Sequence, residues 1–198
     1  MGAAHTTGRR RDDTAGRVLP AGRWRVLPDR SRIGFRVRKM GLYYVKGRFS
    51  RVTGTLDPAG RGEVVIDAAS ISTRIPPRDW HLRSADFLDV KRNPEIRASV
   101  DSIEPAGEGD LAAVAVIDLH GERGPVELRG HLHQSPDAGR NGAGRLLLHL
   151  EGTLDRHAFG IRARPPVEWI VGRDVLLDVE LALEPISGED PVGGAPQL

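Results

Sequence analysis

Between residues 24 and 186 the apolar positions recur mostly at every second residue. Ile33, Phe35 and Val37 alternate with Arg32, Gly34, Arg36 and Arg38, and Val64, Ile66 and Ala68 alternate with Val65 and Asp67. A period of two puts successive side chains on opposite faces of an extended chain, so each run predicts a strand with one buried face. The pattern returns at Val114 and Val116, at Val126, Leu128, Gly130 and Leu132, at Leu146, Leu148 and Leu150, and at Leu177, Val179, Leu181 and Leu183. Turn-forming clusters separate the runs, among them Asp57-Pro58-Ala59-Gly60, Gly121-Glu122-Arg123-Gly124-Pro125 and Val171-Gly172-Arg173-Asp174. The spacing predicts about eight to ten strands joined mainly by short loops.

Short loops make neighbouring strands antiparallel, and a sheet with one apolar face must hide it by sandwiching or by closing into a barrel. One short helix is expected, from about Pro77 to Ser84, inside a 22-residue connection from Ser72 to Asn93 that is otherwise irregular. A connection of that length is commonly functional or covers an opening.

Composition then narrows the class. A chain of 198 residues suits one domain with tails. Residues 1–23 read as a flexible polar tail, 24–186 as the folded part, and 187–198 as a second tail rich in glycine and proline. With no cysteine, disulfides, thiolate zinc sites, iron–sulfur clusters and cysteine nucleophiles are excluded. No run approaches the roughly 20 apolar residues of a membrane-spanning helix. Arg9, Arg10 and Arg11 are followed by Asp12 and Asp13 rather than by the apolar stretch of an export signal, so a cytoplasmic location is expected.

Charge is nearly balanced, at +2, but unevenly spread. Residues 1–51 carry 14 basic and 3 acidic side chains, and residues 30–51 carry eight basic and no acidic one. By strand parity Arg32, Arg36, Arg38, Lys46 and Arg48 point outward as a basic stripe, which would attract an anionic membrane surface. The stripe lacks interleaved aromatic residues and any RNA-binding signature, so no nucleic acid partner is expected.

Five separated blocks of the folded part, in the same order, resemble the YceI-like family. They are Trp24 to Phe35; Val45-Lys46-Gly47-Arg48-Phe49 with Gly54-Thr55-Leu56; Ile66 to Thr73, continuing through Arg78-Asp79-Trp80-His81 to Phe87-Leu88-Asp89 and Asn93-Pro94-Glu95-Ile96; Asp118-Leu119-His120-Gly121 before Pro125-Val126; and Leu154 to Ile161. The resemblance implies an all-β, lipocalin-like antiparallel barrel of about eight strands that holds a polyisoprenoid chain in its lumen. The chain departs from the family pattern at Arg30, at Arg38-Lys39, at Leu88 and at Ala98, where larger or aromatic residues are usual at the last two. Smaller side chains there would enlarge the lumen.

Ile33, Phe35, Val37, Val45, Phe49, Val64, Ile66, Phe87, Ile96, Val114, Val116, Leu128, Leu148 and Phe159 are the expected lumen residues, each of which could line the cavity or simply fill it. Arg78 and His81 are expected at the mouth, where basic groups could meet a ligand head group. Asp79 reads rather as a tie for the loop through a salt bridge. His131 and His133 lie two apart on one strand, and a hairpin would set His149 opposite His131, the two-plus-one arrangement of some zinc sites. Leu128 and Leu132 claim the inner face, so the three rings are expected outside, where nothing positions a substrate.

The expected function is binding of a polyprenyl or isoprenoid-quinone lipid as a carrier or sequestering protein, without catalysis or cofactor. The alternative is a metal-dependent enzyme using His131, His133 and His149. Whether an outer face forms a homodimer is open at this level.

Overall fold

The period-two runs form strands β1 (Trp24–Val26), β2 (Arg32–Lys39), β3 (Tyr43–Phe49), β4 (Val52–Leu56), β5 (Gly62–Asp67), β6 (Ile71–Ser72), β7 (Glu95–Gly107), β8 (Asp110–Leu119), β9 (Glu122–Ala138), β10 (Gly144–Asp155) and β11 (Val171–Pro185). Among the described residues two α-helices interrupt them, α1 (Pro76–Arg83) and α2 (Val167–Ile170). The computed structural model describes residues 18–138, 144–162, 164–165 and 167–186. Of the tails read from sequence as 1–23 and 187–198, residues 1–17 and 187–198 lie outside the described residues.

Strands β1, β4, β5, β7, β8, β9, β10 and β11 form a closed antiparallel ring of eight, and Val26 opposite Leu183 completes it. Strand β2 continues β1 after a single turn of 3-10 helix and pairs with β11, while β3 pairs with β2 and β6 with β3. These three strands extend one wall beyond the ring. Among the described residues β6 has no strand on its far side, and the connection that carries α1 fills the gap between β6 and β7. Helix α1 starts at Pro76, where a missing N–H costs nothing, so the Pro76-Pro77 pair sets its start.

At the end where β1 meets β4 and β11 the interior is solid. Trp24, Val26, Leu56, Leu148 and Leu183 are buried there, Leu183 completely. Leu19 adds to this plug with 2% exposure, and the N–H groups of Val18 and Leu19 both donate to the Pro58 carbonyl. The packed chain therefore starts before Trp24; a lone apolar residue has no period to reveal it.

Val114 and Val116 correct the expected lumen set. In β8 the buried residues are Leu111, Ala113, Ala115, Ile117 and Leu119, whereas Val114 is 52% exposed and Val116 lies half-buried on the outer face. Both faces of this strand are apolar, so its periodicity does not choose between them. Pairing does: Ala113 stands opposite Leu128 and Ala115 opposite Val126, both inward on β9.

Candidate ligand-binding site

The other end of the barrel holds a cavity of about 510 Å³. Its walls are Ile33, Phe35 and Val37 of β2, Val45 and Phe49 of β3, Ile66 of β5 and Ile96 of β7, with Phe87 from the connection after α1. Leu88, at a position where the chain departs from the family pattern, also lines it; Ala98 does not. The same parity that buries the β2 residues turns Arg32, Arg36 and Arg38 to solvent. Phe35 and Phe49 pack with ring centroids 5.9 Å apart, tilted by 46°. Gly47, between Val45 and Phe49, makes room for them: a Cβ there would stand 2.3 Å from Phe35 Cζ and 2.9 Å from Thr73 Cγ2.

Val64, Leu128, Leu148 and Phe159, also expected in the lumen, are buried but do not line the cavity. Leu148 helps fill the solid end, and Phe159 packs over Gly124, where a Cβ would come within 3.3 Å of its ring. Inward parity is a property of one strand, while depth along the barrel depends on how neighbouring strands are staggered. Sequence reasoning missed much of the mouth: Ile161, Val167, Ile170, Val171, Val175 and Leu177 complete that wall. Of these only Leu177 sits in a clear alternating run.

The lid over the gap is held by buried polar contacts. Asp79, 7% exposed, accepts from the Thr73 N–H at 2.7 Å, from the Thr73 hydroxyl and from the Ser72 hydroxyl at 3.2 Å. Burial alone would raise its pKa, but the hydrogen bonds from Thr73 and Ser72 outweigh that and hold it below the ordinary carboxylate value. Arg83 donates to the carbonyls of Ala69 and Ile71 at 2.9 and 2.7 Å. Asp79 thus ties the lid through hydroxyl and amide donors rather than through a salt bridge.

Arg78 and His81 both line the cavity at the lid. Arg78 spends Nε on the Thr73 hydroxyl at 2.7 Å and one terminal nitrogen on the Thr73 carbonyl at 3.1 Å, without an ion-pair partner among the described residues. His81 lies 3.5 Å from an Asp86 carboxylate oxygen and stands edge-on to the Phe87 ring. Lys39 lines the mouth from β2.

Arg156 is the functional residue that sequence reasoning passed over. Buried to 4% exposure, it donates to the carbonyls of Gly172, Ile161 and Val171 at 2.8–3.1 Å and to Glu168 at 2.9 Å. The second Glu168 oxygen lies 2.6 Å from His157 Nε2. One planar guanidinium therefore pins the chain on both sides of α2, which closes the mouth opposite the lid. It lies within the Leu154 to Ile161 block of the family resemblance, but only the folded chain brings three carbonyls to one arginine.

The histidines sit where parity put them. His149 stands opposite His131 across β9 and β10, with ring centroids 5.8 Å apart, and His131 and His133 are 5.3 Å apart. His131 and His133 are exposed, His149 is half-buried, and none lines the cavity. His149 Nε2 contacts Asp178 at 2.9 Å, and Glu180 beside them is engaged by Arg32. His149, Asp178 and Glu180 could hold a metal ion, a set that leaves out His131 and His133. They lie on a convex sheet face with no walls to position a substrate or exclude water.

The YceI-like domain family matches residues 24–183, nearly the whole described barrel. The chain belongs to this family. A UPF0312 protein of Vibrio cholerae is 30% identical over 160 residues, covering 77% of this chain and 79% of its own. A UPF0312 protein of Shewanella denitrificans is 34% identical over a shorter stretch of 105 residues, covering 50% of this chain and 55% of its own. Among solved structures, Burkholderia cenocepacia BcnA is similar with a TM-score of 0.67 at 20% identity, covering 79% of this chain and 98% of that one. A polyisoprenoid binding domain from Saccharophagus degradans is similar with a TM-score of 0.62 at 18% identity, covering 82% and 98%. At these identities the structural likeness establishes the barrel fold.

Proposed function

We propose that this YceI-like protein binds a long isoprenoid chain, of polyprenyl or isoprenoid-quinone type, in its barrel, and acts as a carrier or sequestering protein rather than an enzyme. The observation that carries the reading is the apolar cavity of about 510 Å³ under a tied lid. That volume falls in the range of small-molecule sites, and an apolar wall favours a hydrocarbon chain by about 0.8 kcal/mol per buried methylene before ordering costs. The similar domain from Saccharophagus degradans, described as polyisoprenoid-binding, supports the choice of chain type. Arg78, His81 and Lys39 stand at the opening, where the polar end of such a lipid would emerge.

The test is organic extraction of protein purified from its native host, followed by mass spectrometry. A prenyl lipid near one per chain is the expected result. A straight-chain fatty acid in its place, or an extract without lipid from protein that also fails to take up added prenol, would overturn the reading.

A further inference from the structure

The large apolar side chains that remain exposed are gathered around the cavity mouth. Leu42, Tyr43 and Trp169 are 77%, 67% and 79% exposed, with Met40 and Tyr44 beside them. The Met40 N–H donates to the Ile170 carbonyl at 2.7 Å, so the β2–β3 hairpin tip and α2 form one ridge. Across the opening, Ile75 and Trp80 are exposed on the lid. Among the described residues only Val114 and Ile186 carry comparable exposed bulk elsewhere. Exposed apolar bulk gathered at one end of a fold in this way marks an interaction surface.

Charge beside the ridge points to the partner. On the outer face of β2 and β3, Arg36 stands opposite Lys46, and Arg48 opposite Gly34. Arg36, Lys46 and Arg48 are exposed and form no ion pair among the described residues, while Arg38 is occupied by the Tyr44 hydroxyl at 3.2 Å. Like charges directly across a strand pair cost stability unless an external anion offsets them. Acidic groups near the mouth that are already matched include Asp86 with Arg164 at 3.0 Å, Glu168 with Arg156 and Asp155 with Arg173. The surface thus pairs tryptophan, tyrosine and leucine with unmatched cations, the combination that enters the interfacial layer of an anionic bilayer.

We propose that the mouth docks on a bilayer containing anionic phospholipid, with Leu42, Tyr43 and Trp169 entering the interfacial layer and Arg36, Lys46 and Arg48 meeting lipid phosphates. The cavity would then open onto the membrane rather than onto water. This rests on the lipid-binding reading above and adds its partner surface.

The test is sedimentation of the full chain with vesicles of phosphatidylcholine, with and without phosphatidylglycerol. Binding that requires phosphatidylglycerol and weakens in high salt is expected. In a Trp80→Phe variant, Trp169 is the exposed indole, since Trp24 is buried; its emission should shift to the blue and be quenched by brominated lipid. Lys46→Gln with Arg48→Gln should weaken binding about thirtyfold, at about 1 kcal/mol per basic residue. Leu42→Ser with Trp169→Ser should abolish insertion, while thermal stability and uptake of prenol in lipid-free solution stay unchanged. Absence of vesicle binding with prenol uptake intact would overturn the docking alone. So would a dimer dissolved by Leu42→Ser, because a second copy would then be what covers the ridge. Vesicle binding without prenol uptake would instead overturn the cavity reading and leave the docking.

Discussion

The Phe35 ring occupies the space where a Cβ on its cross-strand partner Gly47 would stand. The pair lies in the cavity wall, so the absence of a side chain at position 47 sets where the aromatic ring can rest. Gly47→Ala should drive Phe35 off its position into the cavity, costing about 1–3 kcal/mol as an overpacked wall. Uptake of a fluorescent prenol analogue should fall more than the melting temperature. Unchanged uptake would show that Phe35 has room to move elsewhere.

Asp79 gives the lid a dependence on pH. Its folded pKa is below the ordinary value, so its contribution to stability is full above the unfolded aspartate value of about 3.9 and is lost as pH falls through the folded value. Denaturant midpoints measured from neutral pH down to about 3 should decline less steeply in Asp79→Asn than in the unaltered chain. Asp79→Ala at neutral pH leaves buried donors of Thr73 and Ser72 unpaired, at a cost of about 1–3 kcal/mol, and should speed amide exchange at Thr73.

Removing the Arg156 guanidinium should take one charged partner from Glu168 and orphan three carbonyls. Arg156→Met is expected to destabilise by about 3–5 kcal/mol, because three carbonyls and the half-buried Glu168 carboxylate lose the donor they share. Arg156→Lys should rescue only part of this, since an ammonium cannot reproduce the planar fork. Thermal unfolding reads the stability, and proteolysis near Ile161 and Val171 reads the local opening.

The two faces of β8 offer a direct contrast. Val114→Ser should change stability by no more than about 0.5 kcal/mol and leave prenol uptake intact, as expected for an exposed site. Ile117→Ala, which removes a buried side chain in the cavity wall, should cost about 2–4 kcal/mol and weaken uptake. The reverse ranking would place the inward face of β8 on the other side.

Much of the barrel was legible because alternation is strong where one face meets solvent. In β2, Arg32, Arg36 and Arg38 announce the outer face, and Ile33, Phe35 and Val37 line the cavity. In β8 every residue from Leu111 to Ile117 is apolar, so the alternation vanishes and the outward Val114 looks like an inward one. The long Ser72 to Asn93 connection stood out by length and holds the lid helix, expected at 77–84 and found at Pro76–Arg83. The wall opposite it, around α2, has neither period nor motif and went unread.

The sequence alone determined the strand-rich, antiparallel character and the side of each well-patterned strand that faces inward, because these follow from local alternation and short loops; the pairing of β1 with β4 and β11 that closes the ring belongs to the tertiary structure. Only the tertiary structure decided depth. Ile33 and Leu148 share the same parity, yet Ile33 lines the cavity and Leu148 fills the solid end. Position along the barrel axis comes from the stagger between strands, a sum of pairings between residues far apart in the chain. The Arg156 clamp and the ridge at the mouth arise in the same way, from segments that meet only after the barrel has closed.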